Sequence, residues 1–219
     1  MKTKSTSQAA FFNPRVSIGF ALWSVGVLLA FLALSVHSSS TAVAAGAKFK
    51  FDSSGANLVS AASRLAQGEV GSFDIDMPLA GTSGVEDRIA SDYTAIFTFD
   101  VPVTSGEVTV SSGTAVVGAI TCSGNEMRAA LSGVADIQIV VLHTQNINDD
   151  GMPHDDVPFG FLAADVGGDR TVSAPDKAFI RANEGTVTGA NFRGDVNADG
   201  TVDLADGLLV RSKKRNFLP

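Results

Sequence analysis

The chain predicts a mainly β fold, an antiparallel sandwich, completed at its C-terminal end by a small helical module. Between Lys48 and Asn148, short stretches alternating apolar and polar residues are separated by Ser-Gly and Gly-Asn turns. Their spacing of about 8–12 residues is the rhythm of a sandwich. Beyond Gly160 the pattern changes: an aspartate-rich loop runs into an apolar helical turn, and this unit occurs twice, thirty residues apart. Ahead of both stands a basic, then apolar, leader.

The expected strands are Leu58–Leu65, Gly71–Met77, Tyr93–Phe99, Glu107–Ser111, Val116–Ser123, Glu126–Leu131 and Ile137–Thr144. In Phe73-Asp74-Ile75-Asp76-Met77 the apolar residues share one face and the aspartates the other. Tyr93, Ala95, Phe97 and Phe99 likewise oppose Thr94, Thr98 and Asp100, with Ile96 as the exception. Ser112-Gly113 and Gly124-Asn125 are turn dipeptides, and the second suits a tight hairpin joining Thr121 to Met127. Seven strands in about 100 residues is an immunoglobulin-like count.

The run from Asp195 to Asp206 carries oxygen-bearing side chains at loop positions one, three, five, nine and twelve, with Gly200 at six. Calcium takes six to eight oxygens at about 2.3–2.6 Å, and a short loop wraps it only if acidic side chains alternate inward around a sharp turn. Gly200 reaches the positive φ of that turn at little cost. Asp195, Asn197, Asp199 and Asp206 are the candidate side-chain ligands, with the Thr201 carbonyl at position seven and Asp203 acting directly or through water. The run from Asp165 to Asp176 repeats the pattern in part. It keeps Asp165, Asp169 and Asp176 as carboxylates and offers the Thr171 carbonyl. Gly167 stands where a side-chain oxygen is expected and Arg170 takes the glycine position, so this loop is expected to bind calcium more weakly. Each loop leads into an apolar turn ending in arginine, at Arg181 and at Arg211.

A duplicated loop–helix unit in which the position-twelve aspartate leads straight into the helix resembles the type I dockerin repeat. The resemblance covers roughly Gly160 to Pro219. It implies a small calcium-folded helical module with EF-hand-type loops that plugs an extracellular protein into a cohesin-bearing partner, mostly in assemblies that degrade polysaccharide. Dockerins of this type usually carry a Ser/Thr pair at positions ten and eleven and a Lys-Arg pair five residues beyond the loop. Here those places hold Ala174-Pro175 and Leu204-Ala205, then Arg181-Ala182 and Arg211-Ser212. The preceding sandwich also looks like the β-domain that comes before such repeats in exported proteins of some environmental bacteria.

Lys2, Lys4 and Arg15 precede a mostly apolar run from Val16 to Val36, and Ala42-Val43-Ala44 is a small–x–small cleavage pattern. Residues 1–44 therefore read as a signal peptide, with retention as an uncleaved anchor as the alternative and the only route to a membrane. The remainder is expected in an extracytoplasmic space, secreted or at the cell surface. Its removal takes three positive charges and no acidic ones, so the 16 Lys+Arg become 13 against 23 Asp+Glu. That balance argues against nucleic acid and anionic membrane as partners. Cys122 is the only cysteine, which excludes an intrachain disulfide, and its apolar surroundings predict a buried, inert thiol.

Nothing in the sandwich reads as a catalytic constellation. Asp74 and Asp76 could suggest a glycosidase pair, but alternation makes them solvent-facing, and no nucleophile elbow is present. Sugar binding is the main rival, yet Trp23 lies in the leader, Tyr93 is the single tyrosine, and Phe73, Phe97 and Phe99 fall at core phase. The domains expected are thus a sandwich over 48–148, an acidic linker over 149–159, and a calcium-binding module over 160–219 that folds separately. The expected role is a non-catalytic calcium-binding docking protein. The alternative is a carbohydrate-binding or adhesive module whose calcium loops are purely structural.

Overall fold

In the computed structural model, which describes residues 55–219, nine strands form two facing sheets. They are β1 (Leu58–Gln67), β2 (Gly71–Met77), β3 (Gly84–Glu86), β4 (Asp92–Phe99), β5 (Glu107–Ser112), β6 (Val116–Ser123), β7 (Glu126–Ser132), β8 (Gln138–Gln145) and β9 (Pro153–Phe161). The five-stranded sheet has the order β2-β1-β4-β7-β6, and the four-stranded sheet β3-β9-β8-β5. All pairings are antiparallel except β3 with β9, which is parallel. The mainly β class is as the alternation predicts. The leader, and the start of the sandwich up to Ser54, lie outside the described residues.

The seven expected strands all form, and most bury the face their alternation selects, while on β6 Val117, Ile120 and Cys122 are only half-buried. Ile75 and Met77 are buried while Asp74 and Asp76 are exposed. Phe97 meets Phe159 and Tyr93 meets Phe161 edge-on, at centroid distances of 6.0 and 5.2 Å, so aromatic contacts join the two sheets through the core. Gly124-Asn125 is a two-residue hairpin closing Ser123 against Glu126, with Gly124 at φ 58. Cys122 is half-buried at the core margin rather than fully enclosed.

Two corrections concern β3 and β9. With nine strands in these orders, the sandwich does not have the seven-strand arrangement of a constant-type immunoglobulin domain. The segment 149–159, expected as a linker, is for the most part β9, which runs two residues past it into the stretch assigned to the C-terminal module. Its prolines and aspartates suggested turns, yet they sit where a strand tolerates them. Pro153 begins the strand, and Pro158 precedes the residues (Phe159–Phe161) that pair with β3, so no β3 carbonyl lacks its donor there. Asp155 and Asp156 face outward while Val157, Phe159 and Phe161 are buried.

The remainder of the chain contributes two helices, α1 (Ala174–Ala182) and α2 (Leu204–Lys213), and a two-stranded ribbon of β10 (Gly185–Thr186) and β11 (Thr201–Val202). A second apolar core lies here: Val166, Val172, Ile180, Val187, Val196, Val202, Val210 and Leu218, joined by Val85 and Leu162 from the sandwich end. The described residues, 55–219, group as one compact unit.

Candidate cation loops

The chain passes from β9 into the first loop under backbone control. Leu162 and Ala164 donate to the carbonyls of Glu86 and Asp87 at 3.1 and 2.8 Å, which delivers Asp165 to the loop entrance. A 3-10 turn over Phe192–Gly194 serves the same purpose for Asp195.

The two loops repeat one another hydrogen bond for hydrogen bond. The position-one carboxylate takes the amides of positions five and six. Asp165 accepts from Asp169 and Arg170 at 3.2 and 2.8 Å, and Asp195 from Asp199 and Gly200 at 3.0 and 2.9 Å. The position-five carboxylate takes the amide of position seven: Thr171 to Asp169, and Thr201 to Asp199, both at 2.9 Å. The position-twelve carboxylate bridges positions three and nine. Asp176 accepts from Gly167 and Ser173 at 2.8 and 2.7 Å, and Asp206 from Asn197 and Asp203 at 3.2 and 2.8 Å. Positions four and six are left-handed in both, at Gly168 and Arg170 (φ 69 and 71) and at Ala198 and Gly200 (φ 57 and 96).

This geometry ties loop to helix. Asp176 and Asp206 are each the third residue of a helix whose N-cap amide they accept, half of a capping box. Asp203 caps α2 through its carboxylate, accepting from Ala205 at 2.6 Å. Each loop is then closed by the segment that follows the other repeat's helix. Val187 donates to Gly200 O at 3.1 Å, while Leu218 donates to Arg170 O at 3.0 Å and Val172 to Asn216 O at 2.9 Å. Arg170, cationic at a position that favours glycine, holds its left-handed backbone with its guanidinium on the Pro219 carbonyl.

Asp165, Asp176, Asp195 and Asp206 are all buried, and among the described residues none has a Lys, Arg or His side chain paired to it. Burial pushes Asp195 up to about 6, against the opposing pull of the Gly200 and Asp199 amides and with added repulsion from Asp206 and Asp199. Burial likewise raises Asp165 and Asp206. Asp199 and Thr201, like Asp169 and Thr171, are exposed at the outer rim, and Asn197 is half-buried. Among the described residues no three His, Cys, Asp or Glu side chains converge as a ready-made cage, because the carboxylates are turned onto backbone amides. The donor set is all oxygen, suited to a hard cation.

Several residues that organise this region carry no sequence signal. Arg88 is fully buried and grips Glu86 bidentately at 2.8 and 2.7 Å, while Ser63 donates to Glu86 at 2.6 Å. The Arg88 guanidinium also lies 5.6 Å from the centroid of Phe192, which stacks on Phe73 at 5.3 Å. Gln67 is buried and donates to the Phe192 carbonyl at 2.6 Å. The charged triplet Glu86-Asp87-Arg88 was the available hint, but charge alone does not reveal burial.

Compared with protein-family models, curated proteins and solved structures, the chain gives no match to any. By its own geometry the molecule is a β-sandwich bearing a duplicated, acidic loop–helix unit.

Proposed function

We propose that this chain is an exported, non-catalytic calcium-binding docking protein, in which a dockerin-like loop pair assembles it with an extracellular or cell-surface partner bearing a cohesin-like domain. The observation that carries the reading is the thirty-residue recurrence of the loop hydrogen bonds around four buried carboxylates that have no basic partner among the described residues. Keeping several buried carboxylates ionised together is costly, and a bound cation relieves that cost. Calcium would be held by Asp195, Asn197, Asp199, Asp206, the Thr201 carbonyl and Asp203 in the second loop, and by Asp165, Asp169, Asp176 and the Thr171 carbonyl in the first. Export leads the chain into calcium-rich surroundings, and the resemblance to dockerins links it to polysaccharide breakdown. Leu204 and Leu208, 72 and 53 % exposed on one face of α2, suit a protein contact. The non-catalytic assignment is supported at Asp74, whose carboxylate is occupied by Arg64 through two bonds of 2.7 Å.

A second reading, in which the loops only staple a carbohydrate-binding or adhesive sandwich, is favoured by one contact. The second loop rests on the β1–β2 hairpin, with Gly68 donating to Ala198 O at 3.0 Å. Pull-down of the exported protein by cohesin domains and by insoluble polysaccharides, each with calcium and with chelator, separates the two. Calcium-dependent capture by cohesin supports docking. Polysaccharide capture alone supports the second reading, and absence of calcium uptake overturns both.

A further inference from the structure

In each loop the carbonyls at positions one and two are capped by donors from outside it, the position-one carbonyl also taking the position-four amide, Gly168 to Asp165 O at 3.0 Å and Ala198 to Asp195 O at 3.3 Å. In the second loop the donors belong to the sandwich: Gln67 Nε2 to Asp195 O at 3.1 Å, and the Ile89 amide to Val196 O at 2.7 Å. In the first loop both donors belong to one side chain, Arg193, which gives Nη2 to Asp165 O at 3.2 Å and Nε to Val166 O at 2.9 Å. The same guanidinium reaches the sandwich, donating to Val85 O at 3.1 Å and lying 3.0 Å from the Asp87 carboxylate. Asp87 is fully buried, and its carboxylate oxygens have no hydrogen-bond donor among the described residues, so this contact is an ion pair without hydrogen-bond geometry. Gly168 leaves room for the guanidinium, since a Cβ there would stand 3.2 Å from Arg193 Nη2.

Support for the first loop is thus partly serial: the Glu86 and Asp87 carbonyls hold its entrance directly, and the capping of its carbonyls comes through Arg193. The sandwich holds the second loop directly. Arg193, two residues ahead of Asp195, carries that support across to the first loop. An arginine suits the task because its planar fork serves several oxygens at once and stays charged when enclosed.

We propose that Gln67 and Arg193 are positioning residues for the two cation loops, so that the sandwich acts as a template on which the loops take their binding geometry in sequence. This rests on the reading that the loops bind calcium. It departs from the expectation that residues 160–219 fold as a separate module. It also assigns direction: a defect at Gln67 weakens both sites, whereas a defect at Arg193 weakens only the first.

The test uses the whole chain and calcium ion alone, with titration calorimetry and backbone hydrogen exchange on wild type, Gln67→Met, Arg193→Met and Arg193→Lys. Loss of an outer-shell partner typically lowers metal affinity about 10–100-fold. Arg193→Met is expected to weaken one site by about tenfold or more and leave the other within about twofold. Arg193→Lys keeps the charge beside Asp87 but not the forked donation, so it should recover only part of the loss. Without calcium, the amides of Asp169 and Arg170 should lose protection in Arg193→Met while those of Asp199 and Gly200 keep theirs. Unchanged isotherms and unchanged exchange in Arg193→Met overturn the proposal, as does equal weakening of both sites. If Arg193→Met does not fold, the Lys variant decides by the same two criteria. A wild type that takes up no calcium overturns the functional reading, and the exchange measurement then judges the template separately.

Discussion

Gly68 abuts the second loop so closely that a Cβ on it would stand 2.3 Å from the Asp199 carbonyl oxygen. Its φ of 53° is also one that L side chains rarely adopt. This glycine, in the β1–β2 turn, is where the sandwich and the candidate cation loop meet backbone to backbone. Gly68→Ala is expected to destabilise the protein by about 2–4 kcal/mol through overpacking and strain. Gly124→Ala is the control, with the same left-handed strain but open space around it. Thermal melts of the two should rank Gly68→Ala as clearly worse; equal shifts would show that the close approach has no energetic weight.

Calcium should stabilise the whole described fold rather than the helices alone. A ligand at a hundredfold excess over Kd contributes roughly 2.7 kcal/mol per site, about 5–10 °C for a chain of this size. Near-ultraviolet dichroism of Tyr93, in the sandwich, and far-ultraviolet helicity should move together on chelation. Asp199→Ala should lower calcium affinity more than Asp169→Ala, because the first loop lacks a side-chain ligand at Gly167. Calorimetry showing the opposite order would reverse the ranking of the two loops.

Tyr93 gives a single-residue readout of alkaline stability, being the only tyrosine in the chain. Burial pushes its phenol up to about 12, and its hydroxyl donates to the Arg88 carbonyl at 3.1 Å while accepting from the Ala90 amide. The folded state thus holds a proton that the unfolded state releases near pH 10. Stability is full below about pH 10 and falls as pH rises towards about 12, by about 3 kcal/mol in all. Tyrosinate absorbance should show a midpoint about two units higher in buffer than in denaturant. Coincident midpoints would place the phenol in solvent.

Two of the arginine–carboxylate pairs, Arg88–Glu86 and Arg64–Asp74, should behave differently despite similar distances. Arg88→Ala strands Glu86 in the interior and is expected to cost about 3–5 kcal/mol. Arg64→Ala breaks a pair whose partners are 28 and 37 % exposed, and should cost no more than about 1 kcal/mol. Denaturant midpoints measure both. A small effect at Arg88 would mean that Glu86 takes up a proton when its partner is gone.

The sequence by itself determined the seven alternating strands, the Gly124-Asn125 hairpin and the register of both acidic loops. Each of these is a local pattern, in which spacing along the chain decides which face is apolar or which carboxylate can reach back to an amide. Leu65, Ile75 and Met77, or Asp195 and Gly200, state their roles within a few residues of one another. Only the tertiary structure decided that Pro153–Phe161 is a strand, because its place depends on β8 and on the short β3, which is paired in parallel from far upstream. Likewise only the fold brings Arg193 to Asp87, across more than a hundred residues, and lays the second loop on Gln67 and Gly68. Buried polar contacts of that kind leave no periodic trace, since one arginine looks the same in sequence whether it faces water or the carbonyls of a neighbouring loop.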